Sequence, residues 1–123
     1  MRTEQLLGCA EAILDGRVCG SPRRIKVAAF LIRQALEAEV DAYCEYLVRS
    51  MPYPVRMRSR LAVMHALDQN GLDRIAEHAW NALSQACHHH AYELSPTVSE
   101  LRHLHAEVAR LAALRATITA MAC

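Results

Sequence analysis

Apolar residues recur along this chain at three- and four-residue spacings and nowhere alternate at every second position, which is the signature of helices rather than strands. The first predicted helix covers Thr3 to Asp15, with Leu6, Ala10, Ile13 and Leu14 on one stripe and Gly16 placed to stop it. The second opens at Ser21-Pro22, a capping residue followed by proline at the first helical position. Ile25, Ala28, Ala29, Ile32, Ala35, Leu36, Val40, Tyr43 and Leu47 carry its stripe as far as Arg49. At 1.5 Å per residue it is about 40 Å long, which makes it the expected spine. Met51-Pro52-Tyr53-Pro54 ends it, because proline lacks an N–H and restricts its neighbour.

The third helix is predicted from Val55 to Asp68, ended by Asn70-Gly71, and the fourth from Asp73 to His90. The fifth opens at Ser95-Pro96, and Thr97 with Glu100 also fits a capping box. Its stripe is Leu101, Leu104, Val108, Leu111, Leu114, Ile118 and Met121. Short connections favour antiparallel neighbours. The expected fold is therefore all-α, an up-and-down bundle of about five helices with long second and fifth members, forming a single domain over residues 1–123.

Composition agrees with that class, since only 5% of residues are aromatic while 53% are hydrophobic. The net charge of +1 gives no overall field toward nucleic acid or acidic lipid. The charge is unevenly placed, however: residues 16–60 hold nine basic and four acidic side chains, a net of +5. Thirteen of the fourteen basic residues are Arg. A GC-rich genome explains that bias, and so does selection for planar donors that grip phosphate. No apolar run reaches the ~18–20 residues of a membrane span, and Glu4 and Glu11 interrupt the N-terminal pattern in a way no signal peptide does. The five cysteines follow no framework spacing, so they read as reduced, mostly core residues of a cytoplasmic protein.

The chemistry concentrates between Trp80 and Glu107, which holds five of the seven histidines and the only Trp. Turning 100° per residue along the fourth helix puts Leu72, Ile75, Ala76, Ala79, Leu83, Ala86, Cys87 and His90 on a core face, with Trp80 at its edge. Arg74, Glu77, Asn81, Ser84, His88 and Tyr92 share a polar arc, and His89 points elsewhere. An imidazole among amide, hydroxyl and phenol groups suits proton transfer. A solvated helix face reads the same way. Ser84 and His88 can touch at i, i+4, but no third acid or glycine-rich oxyanion loop accompanies them. His65, beside Met64, reads as an ordinary surface or hydrogen-bonded residue. Cys87 and His90 lie three apart with His103 and His105 on the next helix, yet two residues is about 200° around a helix. A tetrahedral zinc set is therefore not expected, nor is any other metal or cofactor.

The segment Ala28-Ala29-Phe30-Leu31-Ile32-Arg33-Gln34-Ala35-Leu36-Glu37 resembles the Arg-x-x-Leu-Glu helix of HEPN domains, and Leu83-Ser84-Gln85-Ala86-Cys87-His88 resembles their late Leu-Ser-x-x-x-His helix. The likeness covers residues 25–92. It implies a small all-α domain that pairs as a homodimer. It further implies either a metal-independent ribonuclease of toxin–antitoxin or antiphage systems, or a non-catalytic RNA- or nucleotide-binding module. The family's catalytic motif is Arg, four to six residues, then His. Seven positions before His88 the chain has Asn81 instead of Arg; Arg74 lies two turns further back, and Arg60-Leu-Ala-Val-Met-His65 has the literal spacing. On this resemblance the catalytic candidates are His88, Asn81, Ser84, Arg74 and Tyr92, with His88 acting on the 2′-hydroxyl and an Arg holding the phosphate.

Two acid-free basic stretches mildly favour RNA: Arg17 to Arg33, and Arg49 to Arg60 with Tyr53 interleaved. Arg33, Arg56, Arg58 and Arg60 are the candidate RNA contacts, although Arg33 also stands at i, i+4 from Glu37. The expected partners are a second copy and either RNA or an antitoxin-like protein, with no membrane. The rival reading is a non-catalytic interaction module in which Tyr92 and Pro96 fix the turn before the fifth helix.

Overall fold

The computed structural model describes residues 2–17, 23–49, 55–88 and 95–122. They form α1 (Thr3–Leu14), α2 (Arg24–Val48), α3 (Met57–Leu67), α4 (Leu72–Cys87) and α5 (Val98–Met121), with no strand among them. The all-α bundle with long second and fifth helices is therefore present. No helix among the described residues is long and apolar enough to cross a membrane.

The spine role of α2 is also present, since it packs against each of the other four helices. Its buried residues are Ala28, Ala29, Ile32, Ala35, Leu36, Glu39, Val40, Tyr43 and Cys44. The alanines let neighbouring backbones come close, and Ile32, Leu36 and Val40 fill the space between them. Removing a side chain such as Ile32 costs roughly 2–5 kcal/mol through lost burial and the void left behind. Specific contacts set the helix directions. Tyr43, late in α2, meets Asp68 and Asn70 just before α4, while Arg33, earlier in α2, meets His88 just after it, so α4 runs antiparallel to α2. Arg102 meets Leu14 and His105 meets Leu7, so α5 runs antiparallel to α1. In both cases the side chain donates to a main-chain carbonyl near the end or middle of α1, and Arg102 also pairs with Asp15 at 2.7 Å.

Gly16 takes φ +72° directly after α1, as a helix stop requires. Two boundaries differ from expectation and a third is not described. The Ser21-Pro22 cap falls outside the described residues. The fifth helix is capped by Thr97 rather than Ser95: Thr97 Oγ1 accepts from Glu100 N–H at 3.0 Å and Glu100 returns the bond to Thr97 N–H. The reciprocal box satisfies two end groups, which a cap-then-proline pair at Ser95-Pro96 does not. Gly71, expected to close the third helix, instead stands before α4 at φ +81°, and α3 already ends at Leu67. The predicted α5 stripe is buried to Leu111 and Ile118 still packs against the core, whereas Leu114 is exposed and Met121 is 80% exposed. Beyond Leu111, Arg115 adds an ion pair to Glu39.

Candidate functional site

The sequence groups Arg74, Asn81, Ser84, His88 and Tyr92 on one arc of a helix reaching His90. In the structure α4 stops at Cys87. His88 is its cap residue, with its N–H shared between the carbonyls of Ser84 and Gln85. His89, His90 and Tyr92 lie outside the described residues. Arg74 sits exposed in the first turn, fourteen residues before His88, which is about 21 Å along the axis, so the two do not meet.

The guanidinium that does meet His88 comes from α2. Arg33 Nη1 lies 3.2 Å from His88 Nε2, and its guanidinium carbon lies 4.4 Å from the centroid of the Trp80 ring. Trp80, Ser84 and His88 succeed one another at four-residue steps, so Arg33 lies along one stripe of α4. Arg33 Nε is 3.7 Å from Glu37, the i, i+4 pairing expected, but it makes no hydrogen bond and is buried, as is the unpartnered Ser84 hydroxyl. Because Arg33 only donates, His88 Nε2 accepts and its proton is on Nδ1. Cys87, next to this cluster, has its thiol held above the ordinary value by burial, which outweighs the opposing charges of Arg33 and Lys26.

A second constellation faces the other flank of α4. Arg58, Leu61, Ala62 and His65 of α3, with Glu77, Trp80 and Asn81 of α4, line a groove of about 360 Å³. Arg58 and His65 are seven residues apart, two turns of one helix, and so share a face. His65 Nδ1 lies 3.1 Å from Asp73 Oδ2. The carboxylate accepts, which fixes the proton on Nδ1 and leaves Nε2 with its lone pair free. An imidazole held by an acid thus shares the groove with a cation, a carboxylate from Glu77 and an indole.

The groove's geometry depends on Asp68, which joins the end of α3 to the start of α4. Its carboxylate accepts from the main-chain N–H of Asn70 and of Asp73, both at 2.9 Å, and from the Tyr43 hydroxyl at 2.6 Å. The Asp73 bond satisfies a donor left open at the start of α4, and Asp73 is the residue that holds His65. Burial raises the Asp68 carboxyl, but the hydrogen bonds from Tyr43, Asn70 and Asp73 together prevail and hold it below its ordinary value. Burial first, and the bond to Asp68 second, push Tyr43 up to about 12.

The four arginines proposed as RNA contacts separate. Arg58 faces the groove. Arg56 is an exposed residue at the start of α3. Arg60 turns toward α2, pairing with Asp41 at 3.1 Å, while its carbonyl accepts from the Cys44 thiol. Arg33 is occupied as described. The literal Arg60–His65 spacing of five residues rotates the two side chains about 140° apart, and each has a different carboxylate. Among the described residues no group of three ligand-type side chains gathers as a metal site would need. No family model, curated protein or solved structure matches the chain.

Proposed function

We propose that the protein is a HEPN-like domain that binds single-stranded RNA in the α3–α4 groove. The observation that carries this reading is the convergence of Arg58, His65, Trp80 and Asn81 on one cleft. Each supplies a different part of RNA recognition. Arg58 is a phosphate donor, Trp80 is a stacking surface for a base, and Asn81 is a paired donor and acceptor for a base edge. The pattern of Arg, six residues, then His, which the resemblance asks for, is met by Arg58 and His65 on α3 rather than by residues leading to His88. If the groove also cleaves, His65 Nε2 takes the 2′-hydroxyl proton as that oxygen attacks phosphorus, the bond to the 5′-oxygen breaks to leave a 2′,3′-cyclic phosphate, the departing 5′-oxygen takes a proton from water, and Arg58 offsets the charge that builds on the phosphate.

Fluorescence anisotropy with a labelled RNA oligonucleotide tests binding. Arg58→Ala and Trp80→Ala should each weaken it by about 1–3 kcal/mol, and added salt should weaken the wild type further. Affinity unchanged in both variants removes the groove as the site. His65→Gln should abolish any cleavage while sparing affinity. A second reading, a self-association module without catalysis, is favoured by Val27 and Phe30, which lie one turn apart on α2 and are about half exposed. Light scattering of wild type against Phe30→Ser separates it, because loss of a dimer in the variant supports that reading.

A further inference from the structure

Trp80 belongs to two arrangements at once. It lines the α3–α4 groove, and its ring carries the guanidinium of Arg33. Arg33 donates from Nη1 to His88 Nε2 at 3.2 Å, and it also lies within hydrogen-bonding reach of the Cys87 thiol. Its Nε has no hydrogen-bond partner, and Glu37 stands 3.7 Å away, beyond bonding distance. Of the groups that hold the guanidinium, the His88 lone pair belongs to an exposed, titratable ring.

We propose that the Arg33–His88 contact is a proton-sensitive clasp that regulates the Trp80 wall of the groove; this rests on reading the groove as the RNA site. Arginine has only donors and stays charged at any physiological pH. The bond exists only while His88 is neutral. Protonating Nε2 removes the acceptor and sets two cations against each other at the same place. His88 has somewhere to go once charged: it stands at the C-terminal end of α4, where the open carbonyls of the last turn favour a cation. The proton thus moves His88 from Arg33 to the helix end, and Arg33, already beside Glu37 at 3.7 Å, has its Nη1 freed to turn along Trp80 toward a phosphate in the groove.

Among the described residues, the other charges near this ring do not supply His88 with an alternative partner. From α2 they are Arg33, Glu37 and Lys26, the last felt electrostatically at Cys87. On α4 itself the neighbour is Cys87, a neutral thiol. On the first turns of α5, Arg102 pairs with Asp15, His103 faces Glu107, and Glu100 bonds Thr97, so none of them is directed to His88. On α3, Arg58 and His65 face the groove side of Trp80.

The single Trp makes the clasp directly observable without RNA. Trp80 emission should follow a one-proton sigmoid within about pH 5–8, the range in which histidines titrate. The sigmoid should vanish in His88→Gln, whose amide accepts from Arg33 but does not titrate, and in Arg33→Met. It should survive in His65→Gln. A wild-type emission that does not change across this range overturns the clasp. A sigmoid that disappears with His65→Gln and persists in His88→Gln also overturns it, by assigning the change to the groove face. RNA affinity is measured separately: acidification should raise it several-fold more in the wild type than in His88→Gln. Equal pH dependence in the two, with the His88-dependent sigmoid present, overturns the regulatory role. Absence of RNA binding at every pH, with that sigmoid intact, instead refutes the groove reading and leaves the clasp standing.

Discussion

Replacing Arg115 with Met should destabilise the protein by about 3–5 kcal/mol. Glu39 is the one buried charged side chain among the described residues, only 5% exposed in the middle of α2. Arg115 reaches it from α5, with Nε on one carboxylate oxygen and Nη2 at 3.5 Å from the other. The two floor a cleft of about 640 Å³ whose walls are largely alanine, Ala38 and Ala42 from α2 and Ala109, Ala112, Ala113 and Ala116 from α5. The alanines have no donor to offer, and Arg2 and Thr3, which also line the cleft, make no hydrogen bond to Glu39. At an effective dielectric of about 20, unit charges 4 Å apart attract by about 4 kcal/mol, a gain of the same order as the cost of removing both ions from water. Truncating Arg115 removes the attraction and leaves the Glu39 desolvation in place.

The two ends of the pair are not equivalent, and that asymmetry makes the reasoning testable. Glu39→Gln should cost less, about 1–2 kcal/mol, because the Arg115 side chain is 23% exposed and can turn to water through the cleft. The double variant Glu39→Leu/Arg115→Met carries no buried charge and should lie within about 1 kcal/mol of wild type. Urea denaturation followed by circular dichroism gives all three, with a fall in midpoint temperature of roughly 10–20 °C for Arg115→Met as a check. A domain of this size has only about 5–15 kcal/mol in total, so the single variant is well outside error. If Arg115→Met costs under 1 kcal/mol, or the double variant is as unstable as the single, the carboxylate is not held in the way described.

Other outcomes follow from the same contacts. Tyr43 has its folded value above its unfolded one, so its share of stability is complete below about pH 10 and is lost as pH climbs to about 12; wild type should lose about 2 kcal/mol over that window, whereas Tyr43→Phe, weaker at neutral pH, should lack this slope, and identical slopes would refute the assignment. Arg49 ends α2 at φ +65° with ψ −37°, a backbone region that disfavours side chains, so Arg49→Gly should stabilise by about 1 kcal/mol in urea titration, and a loss instead would show that the turn is unstrained. With a thiol-specific chromogenic reagent at mildly alkaline pH, Cys9 should react quickly because it is exposed, while Cys44, pushed up to about 11 by burial, and Cys87 should react only on unfolding; fast labelling of Cys44 in the native protein would contradict its burial.

The elements of this fold were readable because each long helix buries one face, and a face repeats every three to four residues whatever it packs against. Gly16 and the Thr97/Glu100 box were equally legible, since both act within a few residues of chain. The site was not legible, because its decisive contacts are between helices. Arg33 and His88 are 55 positions apart and meet only because α4 runs antiparallel to α2 along a seam of alanines. Wheel geometry puts His88 on one arc with Glu77 and Asn81, whereas the packing sets His88 against Arg33 of α2 and the other two along the α3–α4 groove. His65 reads as a surface or hydrogen-bonded residue, which its exposure and its bond to Asp73 match. Which acid it meets was not legible, because Asp73 follows eight residues later across a turn. That turn is drawn tight by Asp68, whose carboxylate takes Tyr43 from the core on one oxygen and the Asp73 N–H on the other. One signal for this site was present in the chain from the start, the seven-residue interval between Arg58 and His65. It carries weight only with a carboxylate to fix the imidazole and a facing indole to close the groove. Both belong to α4, so the groove is a property of how α3 and α4 are joined rather than of either helix alone.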